Sequence, residues 1–195
     1  MELWDVYDKN KQRTGRTMVR DDRSLADDEY HLSVLGVIAR PDGRFLITQR
    51  VMTKRWAPGW WEVSGGGVQA GESSREAVIR EVGEETGLDV SSCPGGFFFD
   101  YHRENPGKGD NYFVDIYRFE LDFDESDVRV QTEEAMGFRL ATHEEIRALA
   151  DQGIFLHYDS IRAVFEPMHY DSEQQRFIPD GADAVPETAD GADRT

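Results

Sequence analysis

Residues 66–88 read GGVQAGESSREAVIREVGEETGL, a glycine-bearing loop, a helical run and a glycine stop in one stretch. Ser73 or Ser74 can cap a helix start, and Glu76 stands where a capping box needs it. No Pro or Gly interrupts Arg75 to Val82; Gly83 costs some helix stability and Gly87 is placed as a C-cap. At about 100° per residue, Glu81, Glu84 and Glu85 fall within an arc of roughly 100° on one helix face. Val78, Ile79 and Val82 occupy the adjoining arc and are expected to face a core. Three carboxylates so close repel one another, and a hard divalent cation with oxygen ligands, Mg²⁺ or Mn²⁺, removes that repulsion. Mg²⁺ is usually held by a few carboxylates plus substrate phosphates, which points to a diphosphate or polyphosphate substrate. The competing reading is a solvated acidic face in a chain with 39 Asp and Glu residues. The loop–helix–glycine context favours the metal site over it.

Composition bounds the rest. A chain of 195 residues suggests one domain, assigned to 1–178, followed by an acidic, disordered tail over 179–195. That tail segment carries five acids against one Arg. At 38% hydrophobic and 11% aromatic, the chain can bury a substantial core. No apolar run reaches transmembrane length and no secretory signal opens the chain, so a cytoplasmic location is expected. A single cysteine, Cys93, excludes an intramolecular disulfide. The net charge of −17 argues against general nucleic-acid binding and against anionic membranes. An anionic substrate then requires bound cations and a local basic patch.

Along the chain, Glu2–Tyr7 and Arg16–Val19 read as short strands, and Tyr30–Ala39 (YHLSVLGVIA) as a strong one. The turn residues Pro41-Asp42-Gly43 lead to Arg44–Arg50, which is expected to complete a hairpin. Trp61–Ser64 enters the glycine loop. Phe97–Arg103, Tyr112–Asp122 and Phe138–Leu140 are further strand candidates. Thr142 can cap a helix over His143–Ala150, with Glu145 at the capping-box position. A last helix is expected over Tyr158–Glu166. A mixed sheet with one central helix and the rest late gives an α/β class, α+β in arrangement, with an α/β/α sandwich around a central mixed β-sheet.

Gly66, Glu72 and the run Arg80-Glu81-Val82-Gly83-Glu84-Glu85-Thr86-Gly87-Leu88 fill every defining position of the Nudix box. The chain therefore resembles the Nudix hydrolase superfamily, strongly within the box and more weakly over about 1–166. The resemblance implies the Nudix fold and hydrolysis of a nucleoside diphosphate linked to another moiety, by water attack on phosphorus. It implies Glu81, Glu84 and Glu85 as metal-binding, catalytic acids, with the general-base role of Glu81 left open. Arg80 joins the catalytic set in a supporting role, paired with Glu72 to hold the loop–helix–loop shape. The carbonyl of Gly65, just before the box, is implied as a metal ligand, and a further acid is sought at Glu133 or Glu134 in TEEAMGFRL.

The segment from Tyr30 to Gly67 is also similar to the isopentenyl-diphosphate isomerase branch of the superfamily, and His31 matches one of its histidines. Where those isomerases carry a catalytic Cys and a second His, this chain has Gly65 and Gly67, and Cys93 lies beyond the box. Proton chemistry at carbon needs a matched acid and base; the residues present are those of the hydrolase. His31 then reads as an ordinary strand-start residue. A third reading, a non-catalytic nucleotide-sensing module, fits poorly with a box that has lost no glutamate. Arg50, Lys54, Arg55 and Trp56 precede the box as substrate-binding candidates: the bases for phosphates, the indole for a ring. Their alternative is a solvated loop and, for the neighbouring Trp60 or Trp61, the core. Tyr101, His102, Arg103 and Tyr112 are weaker pocket candidates. Homodimers are frequent in the superfamily, and no membrane partner is implied.

Overall fold

The computed structural model describes residues 2–180, so most of the segment read as a tail lies outside the described residues. Strands β1 (Leu3–Asp8) and β2 (Arg13–Val19) form an antiparallel hairpin, and β1 also meets the start of β3 (Glu29–Ala39). β4 (Phe45–Arg50) follows the Asp42-Gly43 turn, then come β5 (Trp61–Glu62) and β6 (Ser64–Gly67). Helix α1 (Ser74–Thr86) leads to β7 (Gly95–Arg103), β8 (Tyr112–Glu120) and β9 (Ala135–Ala141). Helices α2 (His143–Asp151) and α3 (Tyr158–Ile161) precede a final hairpin of β10 (Met168–Asp171) and β11 (Arg176–Pro179).

Among the described residues β1–β9 form one mixed sheet around β3. β8 runs parallel to β3 from His31↔Tyr112 to Ala39↔Glu120, while β6 lies antiparallel on the other flank, from Ser33↔Gly67 to Gly36↔Ser64. The expected hairpin between β3 and β4 forms through the turn that Arg40 and Arg44 close, but it is short. The two strands pair only at Ala39↔Phe45, and β4 instead runs against β9 from Phe45↔Ala141 to Arg50↔Ala135. The physical reason is the glycine strand β6. A side chain at Gly65 would overlap the Val34 carbonyl, so bare backbone there lets β6 take the flank that β4 would have used.

Alternation along β3 sets the layers. Tyr30, Leu32, Val34 and Ile38 join Val78 and Val82 of α1 in one core cluster. Val37 and Ala39 join Val114, Ile116, Ile146, Leu149, Ile161 and Phe165 in the other. Helices thus cover both faces, giving the anticipated α/β/α sandwich. Gly36 brings α1 unusually close: a Cβ there would stand 2.7 Å from one Val82 methyl and 2.9 Å from one Val78 methyl.

The helix signals act locally and hold. Ser73 caps α1 with Glu76 closing the box, and Gly87 ends it at φ 75°. Thr142 and Glu145 do the same for α2. The single helix expected over Tyr158–Glu166 is corrected to a four-residue α3 followed by a 3₁₀ turn, Arg162–Phe165. Its end is fixed from outside: the buried Arg118 of β8 donates to the carbonyls of Val164 and Glu166 at 2.8 Å each and of Met168 at 2.9 Å. Carbonyls held by a guanidinium are not available to extend a helix.

Candidate active site

The cap at Ser73 and the stop at Gly87 fix the phase of α1, and the apolar stripe of Val78 and Val82 fixes its rotation on the sheet. Glu81 and Glu85 are thereby turned towards the glycine strand. Gly66 has no room for a side chain, because an added Cβ would overlap the Glu81 carboxylate. The backbone N–H of Gly65 donates to Glu85 Oε2 at 3.2 Å.

Arg80 organises the loop. It donates to both oxygens of Glu72 at 2.9 Å, to Glu81 Oε1 at 2.7 Å and to the Gly67 carbonyl at 3.1 Å. The Glu72 hydrogen bond raises the pKa of Arg80 further above its ordinary value, so it stays charged. Glu72 in turn accepts from the Gln69 N–H at 3.0 Å, closing the loop on itself. Glu84 is more than half exposed (53%) and reaches Arg80 only at 3.4 Å.

The electrostatics of the acids are uneven. Burial first, then the negative charges of Glu62 and Glu81, push Glu85 up to about 8. Burial also raises Glu81, against the opposing hydrogen bond from Arg80. Glu62 is raised by burial too, though Arg50 sits on it at 2.9 Å. Among the described residues no three His, Cys, Asp or Glu side chains form a ready-made cage; Arg80 occupies Glu81 instead. The donor set nonetheless fits a divalent cation. Carboxylates whose pKa is raised by burial and by neighbouring negative charge gain from a hard positive charge, and a nearby backbone carbonyl is a further oxygen donor.

A cavity of about 510 Å³ opens beside Gly65, Gly66 and Glu62. Arg50 and Trp56 line it, together with Tyr101, Tyr112 and the unforeseen Trp4 and His157. Arg50 lies under the Trp56 ring, 5.6 Å from its centroid, and donates to the Trp56 carbonyl at 3.2 Å. Tyr101 Oη and His157 Nδ1 are 3.3 Å apart. His31 is not an idle strand-start residue: it is buried in the cavity wall between the Trp4 and Tyr112 rings, with Nε2 3.5 Å from Asp110.

Other sequence candidates are not brought in. Lys54 is ion-paired with Glu134. Glu133 is exposed and accepts from the Thr132 hydroxyl at 3.3 Å. Arg55 is exposed and does not line the cavity. Sequence reasoning also passed over Glu62. Its signal was an acid standing alone between Trp61 and Val63, in an otherwise apolar approach to the glycines.

The NUDIX domain family matches residues 29–163, more than half of the chain, and the chain belongs to that family of Nudix hydrolases, enzymes that act on diphosphate bonds and generally use divalent metal ions. An uncharacterized Nudix hydrolase of Listeria innocua is 35% identical over 167 residues, covering 85% of this chain and 95% of its own. A CTP pyrophosphohydrolase of Escherichia coli is 35% identical over 77 residues, 40% of this chain and 55% of its own. The fold is that of the DR0079 protein of Deinococcus radiodurans, with a TM-score of 0.67 at 20% identity over 84% of this chain and 97% of that one.

Proposed function

We propose that this protein is a Mg²⁺- or Mn²⁺-dependent pyrophosphohydrolase that cleaves a nucleoside diphosphate linked to a second moiety, or a closely related diphosphate. The observation that carries the reading is the half-buried Glu85 carboxylate, bonded to the Gly65 N–H and raised by burial and by the charges of Glu62 and Glu81, behind a cavity that Glu62, Gly65 and Gly66 line together with aromatic side chains. Glu81, Glu85 and the Gly65 carbonyl are the proposed cation ligands. Glu84 is a peripheral member, while Glu133 and Glu134 would have to leave their present partners to join. A bound divalent cation supplies charge neutralisation for the carboxylates and phosphate oxygens.

The chain's own groups do the rest. Gly66 leaves the space that lets Glu81 approach, and Arg80 orients Glu81 while anchoring the loop through Glu72. Trp56, with Arg50 beneath it, and Tyr101 form the wall for the organic group. Water oxygen bonds to phosphorus, the bridging P–O bond breaks, a box carboxylate takes the proton, and two phosphate-bearing products leave. Lys54 and Arg55 are outer, not lining, contributors. We assign residues 1–178 as a single catalytic domain and a cytoplasmic location on the same proposal. Among the described residues no helix is long and apolar enough to cross a membrane.

The test is phosphate release across nucleoside diphosphate derivatives and isoprenoid diphosphates, with Mg²⁺, with Mn²⁺ and with EDTA. Cation-dependent hydrolysis of one class supports the reading. Silence across the panel from folded protein overturns it.

A further inference from the structure

On the other side of His157 lies a second cavity of about 570 Å³, which His157 shares with the first. Arg103 at the end of β7, Arg147 on α2 and Arg162 beyond α3 all line it. Three elements distant in sequence thus deliver guanidinium groups to one hollow, in a chain whose net charge is −17. Asp151 and Asp159 are also on its wall, yet among the described residues none of the three arginines is in an ion pair. Arg103 donates instead to the Ser160 hydroxyl at 2.7 Å. Its guanidinium also lies 5.6 Å from the centroid of the Tyr101 ring, which lines the first cavity.

Unpaired guanidinium groups facing one hollow repel each other, and an oxyanion relieves that repulsion while accepting their forked N–H groups. The overall negative field of the chain opposes anions, so a local concentration of arginine is what an anion site without a bound cation requires. The hollow shares only His157 with the first cavity and is lined by none of Glu62, Gly65 and Gly66, so it is distinct from the diphosphate-cleaving centre. Nor does it depend on that centre being a hydrolase.

We propose that the Arg103–Arg147–Arg162 hollow is a second binding site, taking a small molecule that bears a phosphate group. Thermal unfolding in EDTA at fixed ionic strength tests it, with inorganic phosphate, a nucleoside monophosphate or chloride alone. A saturable rise over chloride is expected with at least one phosphate ligand, about 3–6 °C at ten times its Kd. A rise with inorganic phosphate identifies a free-ion site; a rise with the monophosphate alone identifies a phosphoester site. The rise should vanish in Arg147→Ala/Arg162→Ala, both exposed positions, and persist in Arg16→Ala, whose side chain pairs with Glu29 instead. Should the double variant melt early in chloride, Arg147→Glu alone serves the same purpose. No saturable rise, or an equal rise in the arginine variants, overturns the proposal.

Discussion

Replacing Gly36 by alanine should injure both the fold and the proposed chemistry, through one contact. The new methyl would stand 2.7 Å from a Val82 methyl and 2.9 Å from a Val78 methyl, whereas carbon atoms rest at about 3.5–4.0 Å. The shortfall is roughly 1 Å on both valines, and neither is free to turn, because both are fully buried. Helix α1 must therefore back away from the sheet. Overpacking of this kind costs about 1–3 kcal/mol, which for a chain of this size lowers Tm by roughly 2–12 °C. The retreating helix carries Glu81 and Glu85 with it. A displacement of about 1 Å at a reacting centre can reduce turnover ~10²-fold. Scanning calorimetry and metal-dependent hydrolysis, measured on the same samples, read the two effects. Trimming the opposing side in Gly36→Ala/Val82→Ala should recover much of the activity, because the space is returned to the helix. Wild-type Tm and turnover in Gly36→Ala would refute the argument that this glycine sets the distance between α1 and the sheet.

Further predictions follow from the same contacts. Glu85→Gln should fold normally and lose several orders of magnitude in turnover at saturating Mg²⁺; a nearly active variant would remove Glu85 from the cation site. Arg118→Met abandons three backbone carbonyls, and should cost about 1–3 kcal/mol for each one left without a partner, read as a lower urea midpoint at unchanged slope. An unmoved midpoint would show that the carbonyls find water instead. Burial holds His31 below its ordinary 6.5, against the pull of Asp110. The unfolded chain then binds more protons than the fold below that pH, so stability is lost as pH falls through about 6.5. His31→Gln should flatten this acid slope, and identical slopes in both proteins would exclude the buried imidazole as its source. Trp56→Ala should raise KM with little change in kcat, since the ring is proposed to bind the organic group; a pure kcat effect would contradict that role.

How much of this was legible in the chain depends on how local each determinant is. Ser73, Glu76 and Gly87 act within a single helix, so the bounds of α1 and the facing of Glu81 and Glu85 could be read directly. The run Tyr30–Ala39 announced a strong strand. Its partners could not be read, since the choice of β6 over β4 rests on a close approach between Gly65 and Val34. The end of the turn after Phe165 is held by Arg118, far away in sequence. The β10–β11 hairpin escaped notice because four-residue strands with polar ends give too little periodicity. At the site, single residues misled where pairs decided. Lys54 and Glu134 each read as a functional group, one for phosphate and one for metal, and they neutralise one another. Glu62 looked incidental until the sheet set it beside Glu85.

Strand β6 has a consequence for how this protein can vary. Its three glycines face three different neighbours: Gly65 meets the backbone of β3, Gly66 the Glu81 carboxylate and Gly67 the indole of Trp4. Any side chain there collides, and the relief differs at each position. Drift at one glycine demands a compensating change in the sheet, at the next in the helix, and at the third in the N-terminal hairpin. The shortest of these detours is at Gly67, where trimming a single indole makes room. The longest is at Gly65, where main chain blocks the way and no substitution elsewhere clears it.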